Sequence, residues 1–131
     1  MKKLNAAITA VHGVVPEKVL SNKDLEQMVD TNDEWIVSRT GIKERRIVNG
    51  GETLSDMGSE VVKEICKKRG ISPLEIDMII VGTVTGDHRF PSTSNIICDK
   101  SGATNAWGFD LSAACSGFIY TLVTGQQFIE A

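Results

Sequence analysis

The sequence predicts an α/β fold, a parallel or mixed sheet with helices on both faces, and three observations carry that reading. Two short runs suited to strands, residues 77–84 and 107–111, flank a helical stretch, and strands joined through a helix pair in parallel. A strongly periodic helix precedes them, with Leu54, Met57, Val61, Val62 and Ile65 at helical spacing. Charge then thins along the chain. Residues 1–65 carry 20 charged side chains and residues 66–131 carry 11, and between positions 101 and 129 only Asp110 is charged. Such a stretch reads as interior rather than surface.

Each element has a local reason. Residues 4–11 are apolar-rich and read as a strand. Ser21 with Asp24 is a capping pattern for a helix over roughly 22–30. Thr31 with Glu34 repeats the pattern, and Gly41 offers a stop, giving a second short helix over roughly 32–40. Residues 42–48 read as an exposed strand ending at the Asn49-Gly50-Gly51 turn. Thr53 with Asp56 opens the periodic helix, which Gly70 ends, and Ser72-Pro73 with Glu75 caps a single turn. Residues 77–84 form the β-branched run of a buried parallel strand. Pro91 opens a helix to about Lys100, with Gly102 after it; 107–111 is a strand and 115–130 a helix. In that last helix Phe118, Ile119, Leu122, Val123, Phe128 and Ile129 lie on more than one face, so it wants cover on every side. One domain of 131 residues does not easily supply it, and residues 1–131 read as a half domain of a larger assembly.

Composition narrows the class. Apolar residues make up 41% of the chain, enough for a core, and 14 basic against 17 acidic side chains give a net charge of −3. That balance argues against a nucleic-acid binder, which shows a basic stripe. Runs such as Met78-Ile79-Ile80-Val81 are far short of the ~20 residues of a membrane helix. Asn5, Thr9 and His12 interrupt the amino-terminal apolar stretch and weigh against a cleaved signal peptide. Cys66, Cys98 and Cys115 are an odd number without a C-x-x-C pair, which suggests reduced thiols in a soluble cytoplasmic protein, with no disulfide framework and no metal site.

Two features could do chemistry. In Gly108-Phe-Asp-Leu-Ser-Ala-Ala-Cys115-Ser-Gly117-Phe118 a strand runs straight into a helix with a cysteine at the junction, among small residues. This has the form of a nucleophile elbow, and the N–H groups of the helix amino terminus could meet an oxyanion. The competing reading is a small buried apolar cysteine; Cys66 and Cys98 read as core or surface thiols. His12 and His88 read as structural or solvated. The second feature is Thr31, Trp35 and Arg39, four apart and so along one helix face. Hydroxyl, indole and guanidinium could grip a nucleotide by hydrogen bond, stacking and charge. By spacing alone, a cap, a half-buried tryptophan and a solvated arginine explain them better. Lys43, Arg45 and Arg46 could meet an acidic partner, though charge on an exposed strand usually serves solubility.

Taken together, DEWIVSRTGIKERRI (33–47), GDHRFPSTS (86–94) and GFDLSAACSGF (108–118) resemble the β-ketoacyl-acyl-carrier-protein synthase III family of thiolase-fold condensing enzymes. The resemblance runs along essentially the whole chain and covers the amino-terminal half of a typical member. It implies a layered αβαβα fold of two similar halves, usually a homodimer. It implies that an acetyl or other acyl group passes from coenzyme A to Cys115 and is condensed with malonyl-acyl-carrier protein, the initiating step of fatty-acid synthesis. Coenzyme A is then a substrate, and no cofactor is expected. Cys115 matches the nucleophile, Trp35 the adenine-stacking tryptophan, Thr31 and Arg39 accompanying nucleotide contacts, and Phe90 the residue that lines the partner's acyl pocket. The family's catalytic histidine and asparagine come from the second half, and neither His12 nor His88 matches that histidine's motif. A central position, covered by the second half, would account for the apolar last helix. The alternatives are a related condensing enzyme of secondary metabolism and, for the 131 residues alone, a non-catalytic acyl- or coenzyme A-binding module without a complete condensation cycle.

Overall fold

The structure is a computed structural model and describes residues 5–131. It divides into two compact units, Val15–Glu52 and a second formed by residues 5–14 with Thr53–Ala131.

In the unit Val15–Glu52, strand β1 (Lys18–Ser21) pairs antiparallel with β2 (Glu44–Ile47), from Lys18 opposite Ile47 to Ser21 opposite Glu44. Helix α1 (Asn22–Glu26) starts at the expected capping box. The Ser21 hydroxyl accepts from the Asp24 amide, and the Asp24 carboxylate accepts from the Ser21 amide at 2.8 Å. It stops at Glu26, short of the expected residue 30, and Met28 and Val29 lie exposed beyond it. Helix α2 (Asp33–Thr40) is capped by Asn32, whose side chain accepts from the Trp35 amide at 2.8 Å, and not by Thr31. Asparagine caps at least as well as threonine, and here it stands one residue nearer the helix. Gly41 closes α2 with φ of 71°, as its position predicts. Asn22 is buried and ties the unit together. Its amide nitrogen donates to Asp33 Oδ1 at 2.7 Å and to the Ile42 carbonyl at 2.8 Å.

The second unit is a βαβ arrangement with helices on both faces. Helix α3 (Leu54–Arg69) has the Thr53–Asp56 capping box and ends at Gly70 with φ of 64°. A 3₁₀ turn, Pro73–Glu75, follows under a Ser72 cap. Strand β3 (Met78–Gly82) leads through helix α4 (Thr93–Ser101) to β4 (Trp107–Leu111). The two strands pair in parallel, Met78 opposite Trp107 and Gly82 opposite Leu111. Alternation along the strands assigns the faces. Gly108 abuts Ser94 and Asp110 bonds the head of α4, so even-numbered β4 residues face α4. Phe109 and Trp107 meet Phe128 of α5 (Gly117–Glu130) on the other face, with ring centroids 6.3 and 5.4 Å apart. Helix α3 packs on α4, where Gly58 leaves room for Ile97. Cys66, Ile97, Cys98 and Ala103 form the buried apolar centre.

Two expectations change here, and a third, the want of cover on α5, holds. Residues 5–11 form no strand, and Leu4 lies outside the described residues. An apolar run becomes a strand only with a ladder partner, and β3 and β4 form a two-stranded sheet without it. Strand β3 is half-buried rather than buried, as suits a pair of strands with open edges. Helix α5 is covered by β3 and β4 on one side, while Phe118 remains 70% exposed and Ile119, Val123, Phe128 and Ile129 are also exposed. No helix among the described residues is long and apolar enough to cross a membrane.

Lys100 of α4 binds Asp56 of α3 at 2.6 Å. Chiefly that bond, and then those from the Thr53 hydroxyl and amide, hold the Asp56 carboxyl at about 2, below its ordinary value of 3.8. A carboxyl whose pKa is lowered on folding stabilises the fold above its unfolded value and loses that contribution as pH falls. The urea midpoint should therefore fall between about pH 4 and about pH 2, and Asp56→Asn should flatten that part of the profile. An unchanged acid limb in the variant would show that other carboxylates carry it.

Candidate active site

Strand β4 ends at Leu111, and its ladder is extended by a bond from the Thr83 amide to the Leu111 carbonyl at 3.2 Å. Within three residues the chain turns into a 3₁₀ segment, Ala114–Ser116, and then into α5. The Ser116 amide donates to the Ala113 carbonyl at 3.0 Å, and the Gly117 amide to the Ala114 carbonyl. Ala114 has φ of 43°, in the left-handed region. That conformation costs a residue with a Cβ about 1–2 kcal/mol, and such strain concentrates at functional sites. Cys115 is thus the middle residue of the 3₁₀ turn, not the first residue of the helix as the sequence suggested. The elbow is tighter than a strand-to-helix junction alone.

Its side chain is exposed, whereas Cys66 and Cys98 are only 2% and 6% exposed. Burial pushes both of those thiols up, with Glu75 adding to the effect at Cys66. An exposed sulfur on a strained turn can reach an electrophile, and two buried ones cannot. Small residues make the turn possible. A Cβ on Gly82 would lie 3.1 Å from the Gly117 carbonyl carbon, so β3 and the head of α5 meet backbone to backbone. On the other face a Cβ on Gly108 would lie 2.9 Å from Ser94 Cβ.

In the unit Val15–Glu52, Trp35 is 54% exposed and Arg39 stacks on it, its guanidinium carbon 5.1 Å from the ring centroid. Thr31 precedes the cap and lies outside α2, so the expected three-residue helical row reduces to Trp35 and Arg39. Thr31 still shares with Asp30, Asn32 and Trp35 the wall of an open depression of about 180 Å³. Arg45 donates to the Leu20 carbonyl at 3.2 Å and Arg46 to those of Pro16 and Glu17 at 3.4 Å. Arg45 thus staples β2 to β1, and Arg46 staples β2 to the segment just before β1.

Phe90 is 88% exposed in the loop between β3 and α4. His12 Nδ1 lies 3.1 Å from Lys68 Nζ, His88 is exposed in the Phe90 loop, and no hydrogen bond joins either to Cys115 among the described residues. Nor do the described residues gather three or more metal-ligating side chains. Sequence reasoning passed over Asp87, Thr93 and Asp110, which hold the Phe90 loop and the head of α4. The signal was present in Asp110, the single charge in its stretch.

No protein-family model matches the chain. A curated relative, the β-ketoacyl-[acyl-carrier-protein] synthase III of Chlorobaculum tepidum, is 55% identical over 129 residues, 98% of this chain and 39% of that protein. The crystal structure of 3-oxoacyl-[acyl-carrier-protein] synthase III from Aquifex aeolicus superposes with a TM-score of 0.84 at 49% identity, covering 88% of this chain and 37% of that one. The priming β-ketosynthase of the R1128 polyketide pathway gives a TM-score of 0.84 at 39% identity, over 89% of this chain and 35% of its own. The chain spans about two fifths of the length of the curated relatives it matches. In sequence and in fold these 131 residues are similar to the amino-terminal half of β-ketoacyl-[acyl-carrier-protein] synthase III enzymes, thiolase-fold condensing enzymes.

Proposed function

We propose that Cys115 is the nucleophile of an initiating condensation in fatty-acid synthesis, and the observation that carries this is an exposed thiol on a strained strand-to-helix elbow. The sulfur attacks the carbonyl of an acyl-coenzyme A. The bond from the acyl carbon to the coenzyme A sulfur breaks, a new thioester to Cys115 forms, and coenzyme A leaves as a thiol with the proton given up by Cys115. Malonyl-acyl-carrier protein then loses carbon dioxide, and its carbanion attacks the Cys115 thioester. That step breaks the bond from the acyl carbon to the Cys115 sulfur, leaves a 3-oxoacyl chain on the carrier, and releases a Cys115 thiolate that takes up a proton from water. The resemblance implies that the Cys115 amide donates to the oxyanion; the neighbouring Ser116 and Gly117 amides already donate to carbonyls of the turn.

In this reading Trp35 stacks on the adenine of coenzyme A, with Arg39 and Thr31 beside it. Phe90, projecting from its loop, lines the acyl pocket across a homodimer, and the protein works in the cytoplasm. The similarity to a polyketide priming enzyme favours one second reading, a condensing enzyme of secondary metabolism with a different primer.

Intact-protein mass spectrometry after incubation with acetyl-coenzyme A tests the first step. One added acetyl group, mapped to Cys115, is expected. A folded protein that gains none from acetyl- or longer acyl-coenzyme A would sink the reading. The nucleotide contact has its own test. Trp35→Ala should weaken coenzyme A binding by about 5- to 50-fold, the loss of one stacked aromatic contact. Alkylation of Cys115 by iodoacetamide should stay unchanged. Equal affinity in wild type and variant would remove Trp35 from the site.

A further inference from the structure

Helices α3 and α4 both begin on a carboxylate supplied from elsewhere in the chain. At α4, Ser92 occupies the cap position without making a capping bond. Asp110 of β4 replaces it, its Oδ2 accepting from the Thr93 amide and its Oδ1 from the Ser94 amide, both at 2.8 Å. At α3, Asp87 of the loop between β3 and α4 accepts from the Leu54 amide at 3.0 Å and the Ser55 amide at 3.1 Å. Each carboxylate therefore satisfies two donors that a helix leaves open in its first turn.

Thr93 joins the two. Its hydroxyl accepts from the Asp87 amide at 3.2 Å, and Thr93, Ser94 and Ser55 are fully buried. Gly86 lies against the same hydroxyl. A Cβ there would stand 2.6 Å from Thr93 Oγ1 and 3.3 Å from Asp110 Oδ2. Burial pushes the Asp87 carboxyl up, but the bonds from Ser55 and Leu54, with the charge of Lys100, leave it below its ordinary value, so it stays ionised as a cap. The relay is continuous. It starts in β4, the strand that delivers Cys115, passes through the buried Thr93, and ends in the loop that carries Phe90.

We propose that Asp110, Thr93 and Asp87 are positioning residues that hold the Phe90 loop in register with the sheet of its own chain, and so help set which acyl chains the partner's site accepts in the proposed homodimer. The inference rests on the acyl-transfer reading of Cys115. None of the three side chains touches substrate. They act through the loop, whose free portion beyond Asp87 is short and ends at the head of α4.

Thr93→Val and Thr93→Ser separate positioning from mere packing. Valine keeps the volume and loses the hydroxyl that accepts from Asp87, whereas serine keeps the hydroxyl. Acylation of Cys115 by acetyl-, butyryl- and hexanoyl-coenzyme A would be followed by intact mass, with iodoacetamide alkylation as a reaction that needs no acyl pocket. Thr93→Val should change the ratio of hexanoyl to acetyl transfer by about fivefold, the scale of one lost hydrogen bond. Thr93→Ser should restore the wild-type ratio, and the alkylation rate should stay within about twofold in both, far less than the loss of a whole contact would cause.

An unchanged ratio in folded Thr93→Val overturns the proposal, as does a parallel fall of every rate including alkylation. If wild type accepts no acyl group at all, the acyl-transfer reading fails separately. Hydrogen exchange then decides the positioning: Thr93→Val should speed exchange over residues 83–92 and in the first turns of α3 and α4, and no change there overturns it.

Discussion

Cys115→Ser abolishes the gain of an acyl group from acyl-coenzyme A, and Cys66→Ser and Cys98→Ser leave it intact. The loss should be at least about 10³-fold, or ~4 kcal/mol of barrier. Serine is close to cysteine in size, so the turn should survive the change. Ala113, Ala114, Ser116 and Gly117 are already small, and the Ser116 and Gly117 amides bond to main-chain carbonyls rather than to the Cys115 side chain. What disappears is the sulfur, a soft nucleophile that attacks a thioester without the full help a hydroxyl needs from a base.

The two controls rest on burial. Cys66 lies on α3 and Cys98 on α4, both in the apolar centre, where a thioester would find no entry. Acyl transfer to Cys66 or Cys98 in the Cys115→Ser protein would mean that α3 and α4 separate in solution. The elbow would then lose its claim to be the reactive turn. A clean result would also weigh against a binding module without covalent chemistry.

What was legible in the chain is local. Ser21 with Asp24, Thr53 with Asp56, Gly41, Gly70 and Gly102 all sit within four residues of the groups they satisfy, and each cap or stop stands where its spacing put it. Strand β4 was legible to the residue, because Trp107–Leu111 is bounded by an Asn-Ala step and a Ser-Ala-Ala turn. Contacts of long range were not legible. Strand β1 has two apolar residues in Lys18–Ser21 and exists because β2 pairs with it. Residues 5–11 are richer in apolar side chains and pair with nothing described.

Helix α4 shows the same limit from the other side. Its local cap residue, Ser92, is in place, yet the capping oxygens come from Asp110, 16 and 17 residues away from the amides they accept. Cys115 was legible as an elbow from its small neighbours. The strain beneath it, the left-handed φ of Ala114, was not, because alanine gives no sign of a left-handed position as glycine would.

Gly82→Ala sets two physical effects against each other, and the sign of the result identifies the winner. Glycine weakens a strand interior, so alanine at the end of β3 should stabilise by up to about 1 kcal/mol if space were free. Space is not free. The new Cβ would stand 3.1 Å from the Gly117 carbonyl carbon, 3.2 Å from its oxygen and 3.3 Å from Thr121 Cγ2. Two of those three atoms are main chain at the first residue of α5 and yield only if the helix moves. Overpacking of this kind costs about 1–3 kcal/mol, which outweighs the gain. We therefore expect a lower urea midpoint for Gly82→Ala, with an altered rate of Cys115 alkylation, since Gly117 lies two residues beyond the sulfur. The pair Gly82→Ala with Thr121→Ser removes only the 3.3 Å contact and should recover little of the loss. Full recovery would show that a movable methyl group, not the backbone of α5, sets the fit. A more stable Gly82→Ala protein with Cys115 unaffected would show that β3 does not hold the head of α5 at all.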